Sequence, residues 1–209
     1  MSTILSVPGL YGSELQHWQT WLERKLPNTQ RVEQEDWDNP ILPIWAQAVS
    51  QSIQQARGKV WLIAHSFGCL ASIYAAQKTP EKIAGAMFVA PANPSRFSLH
   101  GFQAGELYVS ARENVALHLP KQALSFPSVM VASSNDPWMP LETAEAWADT
   151  WESRFINIGA AGHINVASGF GAWPQGLNIF EEFQRSIDDL PQGAINTPQQ
   201  RFNLVSQEF

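Results

Sequence analysis

The stretch "WLIAHSFGCLASIYAA", from Trp61 to Ala76, places a serine between two segments of different character. The residues just before it, 59–64 ("KVWLIA"), are apolar and too few for a helix, which is typical of a buried strand in a parallel sheet. The residues after it are rich in alanine and favour a helix. The sequence therefore predicts a strand, a tight turn and a helix, with Ser66 in the turn.

The turn itself, "AHSFG" (64–68), has small residues two positions before and two positions after the serine. Ala64 and Gly68 meet the need for small residues in the sharp strand-to-helix turn called a nucleophile elbow. Such a turn lifts the serine hydroxyl above the carboxyl edge of the sheet and points a helix N-terminus at whatever bonds to it. Ser66 is therefore the candidate nucleophile.

Strands and helices alternate along the rest of the chain. Further strands are expected at 3–7, 31–34, 83–90, 127–134 and 154–158. Helices are expected from Ser13 to Leu26, where Ser13 and Gln16 suit a capping box, from Asn39-Pro40 onward, and at 140–151 and 177–188. This alternation predicts the α/β class, a three-layer sandwich around a mostly parallel sheet of about six strands.

The length of 209 residues suits one well-buried core. We expect a single domain over 1–190 and a polar, Pro- and Gln-rich tail over 191–209 that is flexible or loosely docked. Segment 91–126 lacks a clear period and is too short for a large helical cap.

Composition narrows the class of partner. The formal net charge is −6, and the basic residues are scattered singly, which disfavours nucleic acid and anionic membrane as partners. No apolar run is long enough for membrane insertion, and no secretory leader is evident at the N-terminus. Cys69 is the single cysteine, so a reducing cytoplasm is the expected location.

A serine needs a base to take its proton and an acid to orient that base. In this architecture the three follow the order Ser, Asp or Glu, His, each on a loop after a later strand. Asp136 in "SSNDPW" and His163 in "GAAGHIN" follow the strands at 127–134 and 154–158. Glu142 and Asp149 are rivals for the acid, but both fall in a predicted helix where carboxylates usually face solvent.

The other histidines are weaker candidates for the base. His65 adjoins the nucleophile and is interpreted as a packing residue, because successive side chains diverge at a tight elbow. His17 is expected on the polar side of the first helix. His100 and His118 lie in the irregular segment, at the pocket edge or on the surface.

The remaining requirement is an oxyanion hole made of backbone N–H groups. The amide of Phe67, just after the nucleophile, is the natural first donor. The loop "PGLYGS" after the first strand offers a second, with Leu10 favoured and Tyr11 the alternative. Tyr11, Trp138 and Trp173 are candidate pocket residues, since they lie on segments that carry the site. No metal-ligand spacing and no dinucleotide-binding glycine pattern is present, so no metal and no cofactor are expected.

Four motifs, "AHSFG", "SSNDPWMP", "GAAGHIN" and "SGFGAWPQG", together resemble the small serine hydrolases of the α/β-hydrolase superfamily, in the group that contains retinoblastoma-binding protein 9 and its bacterial relatives. The resemblance extends from about Ile4 to Phe183. It implies Ser66, Asp136 and His163 as the catalytic residues, on a minimal α/β-hydrolase fold without a large cap.

Two hypotheses about function follow. The first is a carboxylesterase-like serine hydrolase that cleaves a small or short-chain ester, thioester or activated amide through an acyl-enzyme. The second is a protein-binding module of the same fold with weak or vestigial hydrolase activity. Its docking strip would be apolar residues of the tail, namely Phe202, Leu204, Val205 and Phe209.

Overall fold

A computed structural model describes residues 2–102 and 111–189 of the chain. The predicted tail over 191–209 and part of the irregular segment 91–126 lie outside the described residues.

In the described residues, six parallel strands form the central sheet. In chain order they are β1 (Thr3–Val7), β2 (Thr29–Arg31), β3 (Val60–His65), β4 (Ile83–Val89), β7 (Ser128–Ala132) and β8 (Arg154–Asn157). Their spatial order is β2-β1-β3-β4-β7-β8. The short strands β5 (Phe97–Ser98) and β6 (Gly101–Phe102) pair antiparallel apart from this sheet. The predicted parallel sheet of about six strands is confirmed.

Within the part of the chain that the structure describes, five α-helices cover the two faces of the sheet. They are α1 (Trp18–Lys25), α2 (Leu42–Gln55), α3 (Phe67–Ala76), α4 (Leu141–Trp151) and α5 (Pro174–Asp188). Buried side chains of α2, α3 and α4 form one apolar cluster, and those of α1 and α5 form the other. The fold is therefore the predicted three-layer α/β sandwich.

The central strand β3 contributes to both layers because its side chains alternate between the faces of the sheet. Leu62 and Ala64 pack on the side of α2 and α3, whereas Trp61 and Ile63 pack on the side of α1 and α5. All six residues of β3 are buried, as expected for a middle strand with both faces covered.

The first helix is shorter than predicted. It begins at Trp18 rather than Ser13, and the expected capping box does not form. The Ser13 hydroxyl instead donates to Gln19 Oε1 at 2.6 Å, and His17 caps the helix by accepting the Gln19 N–H at Nδ1. Leu15, which lies within the predicted helix, precedes the observed one and is 73% exposed.

Other element boundaries differ by a few residues. Helix α2 begins at Leu42, two residues after Pro40, with Pro43 in its first turn. Helix α5 begins at Pro174, three residues earlier than predicted, because the fixed φ of proline suits the first helical turn. Strand β2 ends at Arg31, where the sequence had suggested that it begins.

Candidate active site

Ser66 lies at the break between β3 and α3 in a backbone conformation that L-residues rarely adopt. Its φ is 53° and its ψ is −125°. A non-glycine residue held in such a region costs about 1–3 kcal/mol and persists only where the surroundings fix it. Here the Ser66 N–H donates to the carbonyl of Val89 at 3.1 Å, and the helix continues directly from Phe67.

The end of β1 packs tightly against this turn. A Cβ added to Gly68 would lie 2.3 Å from the Pro8 carbonyl oxygen, and one added to Gly9 would lie 2.7 Å from Ser66 Cβ. From the sequence, small residues at Ala64 and Gly68 were expected because the strand-to-helix turn is sharp. The structure gives a different reason, since the nearest atoms belong to the main chain of Val7 and Pro8.

Ser66, His163 and Asp136 form a continuous hydrogen-bonded chain. The Ser66 hydroxyl lies 2.8 Å from His163 Nε2, and His163 Nδ1 lies 2.9 Å from both carboxylate oxygens of Asp136. The side chains of His163 and Asp136 are 8% and 2% exposed. The structure thus brings together the three residues that the sequence argument selected.

The loops after β7 and β8 are bonded to each other beside this chain. The Ala161 N–H donates to Ser133 Oγ at 2.9 Å, and the Gly162 N–H donates to Asn135 Oδ1 at 2.7 Å. Asp136 Oδ1 also accepts the Trp138 N–H at 2.8 Å. These bonds fix Asp136 and His163 relative to each other. The rival carboxylates, Glu142 and Asp149, are exposed on α4.

Two backbone amides near Ser66 remain available as donors. Phe67 is the first residue of α3, so its N–H has no acceptor one turn earlier in the helix. The Leu10 N–H donates no hydrogen bond within residues 2–102 and 111–189. The Tyr11 N–H, the alternative second donor, is occupied by the Trp37 carbonyl at 2.9 Å.

A cavity of about 320 Å³ opens above Ser66 and His163. Leu10, Tyr11, Phe67 and Trp138 are among the residues that line it. Tyr11 and Trp138 therefore lie where the sequence argument placed pocket residues.

Trp173 does not line this cavity, and its assignment to the pocket is corrected. It is buried at the start of α5, where its ring packs edge-on against Trp18 at 5.2 Å and Phe170 at 5.6 Å between centroids. The indole thus serves the core between α1 and α5. Its segment carries the site, but its side chain points to the apolar layer.

Aromatic rings line one side of the cavity. Phe67 and Phe97 lie 4.8 Å apart between ring centroids, and Trp138 lies 6.0 Å from the imidazole of His163. The Arg96 guanidinium stacks on the outer part of this wall, 4.3 Å from the Trp138 ring centroid, and donates to the Pro137 carbonyl at 3.0 Å. The indole of Trp138 is thereby held beside the site.

A family model described as serine hydrolase matches residues 4–182. The chain belongs to this serine hydrolase family. A search of curated proteins found no significant match to the hydrolase.

Solved structures with the same fold include other hydrolases. A structure described as a YdeN-like hydrolase of Pectobacterium atrosepticum is 36% identical, with a TM-score of 0.77 over 90% of this hydrolase and 92% of that chain. The ydeN gene product of B. subtilis is 17% identical, with a TM-score of 0.66 over 88% and 98% of the two chains. Est1E of Butyrivibrio proteoclasticus, solved with ferulic acid bound, is 14% identical, with a TM-score of 0.64 over 88% and 89%.

His17 is a residue of the hydrolase site that the sequence argument placed wrongly. It was expected on the polar side of a helix, but it is 3% exposed, lines the cavity and lies 5.0 Å from His65 between ring centroids. Burial, followed by the nearby Arg31 and His163, lowers the pKa of His17 to about 4. Its inward position follows from the late start of α1, which the spacing of apolar residues did not reveal.

His65 packs between the rings of His17 and His163, which agrees with its interpretation as a packing residue but adds two partners that were not expected from the sequence. Its ring centroid lies 4.9 Å from that of His163, and its Nε2–H donates to the His163 carbonyl at 2.9 Å. Burial, followed by the nearby His163 and His17, holds the pKa of His65 well below its usual value. His100 and His118 do not line the cavity above Ser66.

Glu14, Asn165, Val166 and Ala167 also line the cavity of the hydrolase, and the sequence argument selected none of them. Asn165 is the last residue of "GAAGHIN", two positions after His163, so proximity to His163 was the signal that could have identified it. Within residues 2–102 and 111–189, no three His, Cys, Asp or Glu side chains are grouped to hold a metal ion. None of the described helices has the length and apolar character needed to cross a membrane.

Proposed function

We propose that the protein is a carboxylesterase-like serine hydrolase that cleaves small or short-chain acyl esters, thioesters or activated amides through an acyl-enzyme. The observation that carries this proposal is the hydrogen-bonded chain from Ser66 through His163 to Asp136. Each link has the length expected of a nucleophile, its base and the residue that orients the base.

In the first half of the reaction, Ser66 Oγ attacks the substrate carbonyl while His163 Nε2 takes its proton. Asp136 accepts the Nδ1–H of His163, which fixes the tautomer and stabilises the imidazolium. The carbonyl oxygen becomes an oxyanion that accepts hydrogen bonds from the Phe67 and Leu10 amides, a contribution of about 10²–10³ in rate for one such donor. The imidazolium then protonates the leaving group as its bond to the acyl carbon breaks.

In the second half, water replaces the leaving group. His163 takes a proton from the water molecule as the water oxygen attacks the acyl carbon. It returns that proton to Ser66 Oγ when the bond between Oγ and the acyl carbon breaks. The products are the acid and the free enzyme.

The cavity supports a small substrate. Its volume of about 320 Å³ is near the lower end of the range for ligand pockets. The rings of Phe97 and Trp138 offer apolar contact to an acyl chain, whereas His17 and Glu14 give the cavity a polar side. A short acyl group would therefore pack against the aromatic rings of Phe97 and Trp138, on the apolar side of the cavity.

Labelling with a fluorophosphonate probe tests the proposal directly. Wild-type protein, Ser66→Ala and the control Ser95→Ala would be incubated with the probe and measured by intact mass. Ser95 is an exposed serine whose side chain does not line the cavity, so its loss should not change the labelling. We expect one adduct on wild type and on Ser95→Ala, and none on Ser66→Ala. No adduct on folded wild-type protein would contradict the proposal.

A further inference from the structure

Two neighbouring carbonyls in the segment that carries His163 accept hydrogen bonds from buried side chains. The His163 carbonyl accepts from His65 Nε2–H at 2.9 Å, and the Ile164 carbonyl accepts from Trp18 Nε1–H at 2.8 Å. His65 ends β3, next to the nucleophile, and Trp18 begins α1. Donors from two other parts of the fold therefore hold the main chain of this one segment.

This segment needs holding because its backbone is strained. Ile164 has a φ of 47°, which is strained for a β-branched residue. Gly162 has a φ of 56°, which glycine adopts readily and other residues do not. A Cβ on Gly162 would lie 2.3 Å from Ser168 Oγ. His163 sits between these two residues, so its side-chain direction depends on a main chain that would relax to other conformations if it were released.

The hydrogen bond to the His163 carbonyl also shows which ring nitrogen of His65 carries a proton. A carbonyl oxygen only accepts, so Nε2 of His65 must carry a proton. Burial keeps the pKa of His65 well below its usual value, so the ring is neutral at neutral pH. A charged imidazole at this distance would oppose the positive charge that His163 gains in the reaction.

We propose that His65 and Trp18 are positioning residues that aim His163 Nε2 at Ser66 by fixing the main chain of 163 and 164. The Nε2–H of His65 bonds the main-chain carbonyl of His163, the proposed base. The donor from Trp18 acts on the next carbonyl, at the strained Ile164. This inference rests on the proposed function for its effect on rate, but its geometry can be tested without turnover.

The kinetic experiment compares His65→Phe, which keeps a ring but removes the donor, with His65→Gln, whose amide N–H can reach the same carbonyl. With a short-chain p-nitrophenyl ester, we expect His65→Phe to lower kcat about 10- to 100-fold, because misplacement of a catalytic group by about 1 Å costs up to about 10² in rate. KM should change less than about threefold. His65→Gln should regain most of the lost kcat.

Tryptophan variants supply a second test and a matched control. Trp18→Phe removes the donor to Ile164 and should lower kcat in the same direction. Trp151→Phe removes an equally buried indole donor, which bonds the Pro120 carbonyl at 3.0 Å away from the cavity, and should lower thermal stability without lowering kcat.

A spectroscopic readout separates this proposal from the proposed function. Hydrogen bonding to Asp136 shifts the Nδ1 proton of His163 far downfield in the proton NMR spectrum, whether or not the protein hydrolyses any ester. We expect a sharp signal in wild type, a broadened one in His65→Phe and recovery in His65→Gln. Wild-type kcat and signal in His65→Phe would overturn the proposal, and so would a loss that His65→Gln does not repair.

Discussion

Gly9 and Ser66 lie so close that a Cβ on Gly9 would be 2.7 Å from Ser66 Cβ and 3.3 Å from Ser66 Oγ. The loop after β1 therefore reaches the nucleophile through main chain alone, at a residue that has no side chain. This contact brings the Leu10 amide, the next residue, to the cavity above Ser66.

Gly9→Ala should lower kcat/KM by about 10²–10³, because the added methyl group pushes the Leu10 amide away from the developing oxyanion. The measurement is ester hydrolysis by purified Gly9→Ala and wild type, with thermal melting of both. A variant that melts as wild type does and keeps full activity would exclude Leu10 as an oxyanion donor.

Asp136→Asn should lower kcat by about 10³–10⁴, since the amide no longer holds His163 in the tautomer that accepts the proton of Ser66. Asp149→Asn is the matched control, because Asp149 is an exposed carboxylate on α4 that the sequence also offered as the acid. Steady-state kinetics of the two variants would distinguish the carboxylates. An equal effect of both substitutions would contradict the assigned role of Asp136.

Acid should destabilise the protein through His17. Its pKa is about 4 in the folded state and about 6.5 when unfolded, so the unfolded chain binds more protons between these values. The contribution of neutral His17 to the free energy of unfolding is therefore complete above about pH 6.5. Below that pH the free energy of unfolding falls by up to about 1.4 kcal/mol per pH unit. His65, whose pKa is also lowered by burial, acts in the same direction.

Urea denaturation at several pH values between 7 and 4 would measure this loss. His17→Asn keeps a side-chain acceptor for the start of α1 but cannot titrate, so its free energy of unfolding should depend less on pH than that of wild type. If the two curves are parallel, His17 does not account for the acid sensitivity.

Lys82 should stabilise the end of α2. Its ammonium group donates hydrogen bonds to the carbonyls of Ile53, Gln54 and Ala56 at 3.2, 3.0 and 3.3 Å. Its positive charge is also attracted to the negative end of the helix dipole. Lys82→Met should lower the free energy of unfolding by about 1 kcal/mol. The exposed Lys78 provides the control, and Lys78→Met should change it by less than about 0.5 kcal/mol.

The sequence predicted most of what lies near Ser66 because a few local rules act together there. A short apolar strand, small residues around the serine, and later strand ends followed by Asp136 and His163 all point to one edge of the sheet. Parallel strands bring their carboxyl ends together whatever the loops between them do.

The surroundings of this edge were harder to predict because they depend on which way individual side chains face. His17 turned inward because Ser13 bonds Gln19 and the helix starts late, a choice of hydrogen-bond partner that hydrophobic spacing does not encode. Trp173 turned into the layer between α1 and α5 because Trp18 offers it an edge-on partner there. Helix α5 began at Pro174 for a different reason, the fixed φ of proline, which is a local signal that the spacing of apolar residues does not carry.

The backbone angle at Ser66 also limits which substitutions the position can accept. A φ of 53° favours glycine, so Ser66→Gly would relieve strain while deleting the hydroxyl, whereas most other residues would keep the strain and also lack a nucleophile. Stability and reactivity thus favour different residues at one position. Any stability-driven redesign of this hydrolase that leaves activity out of its criteria would be drawn first toward removing its nucleophile.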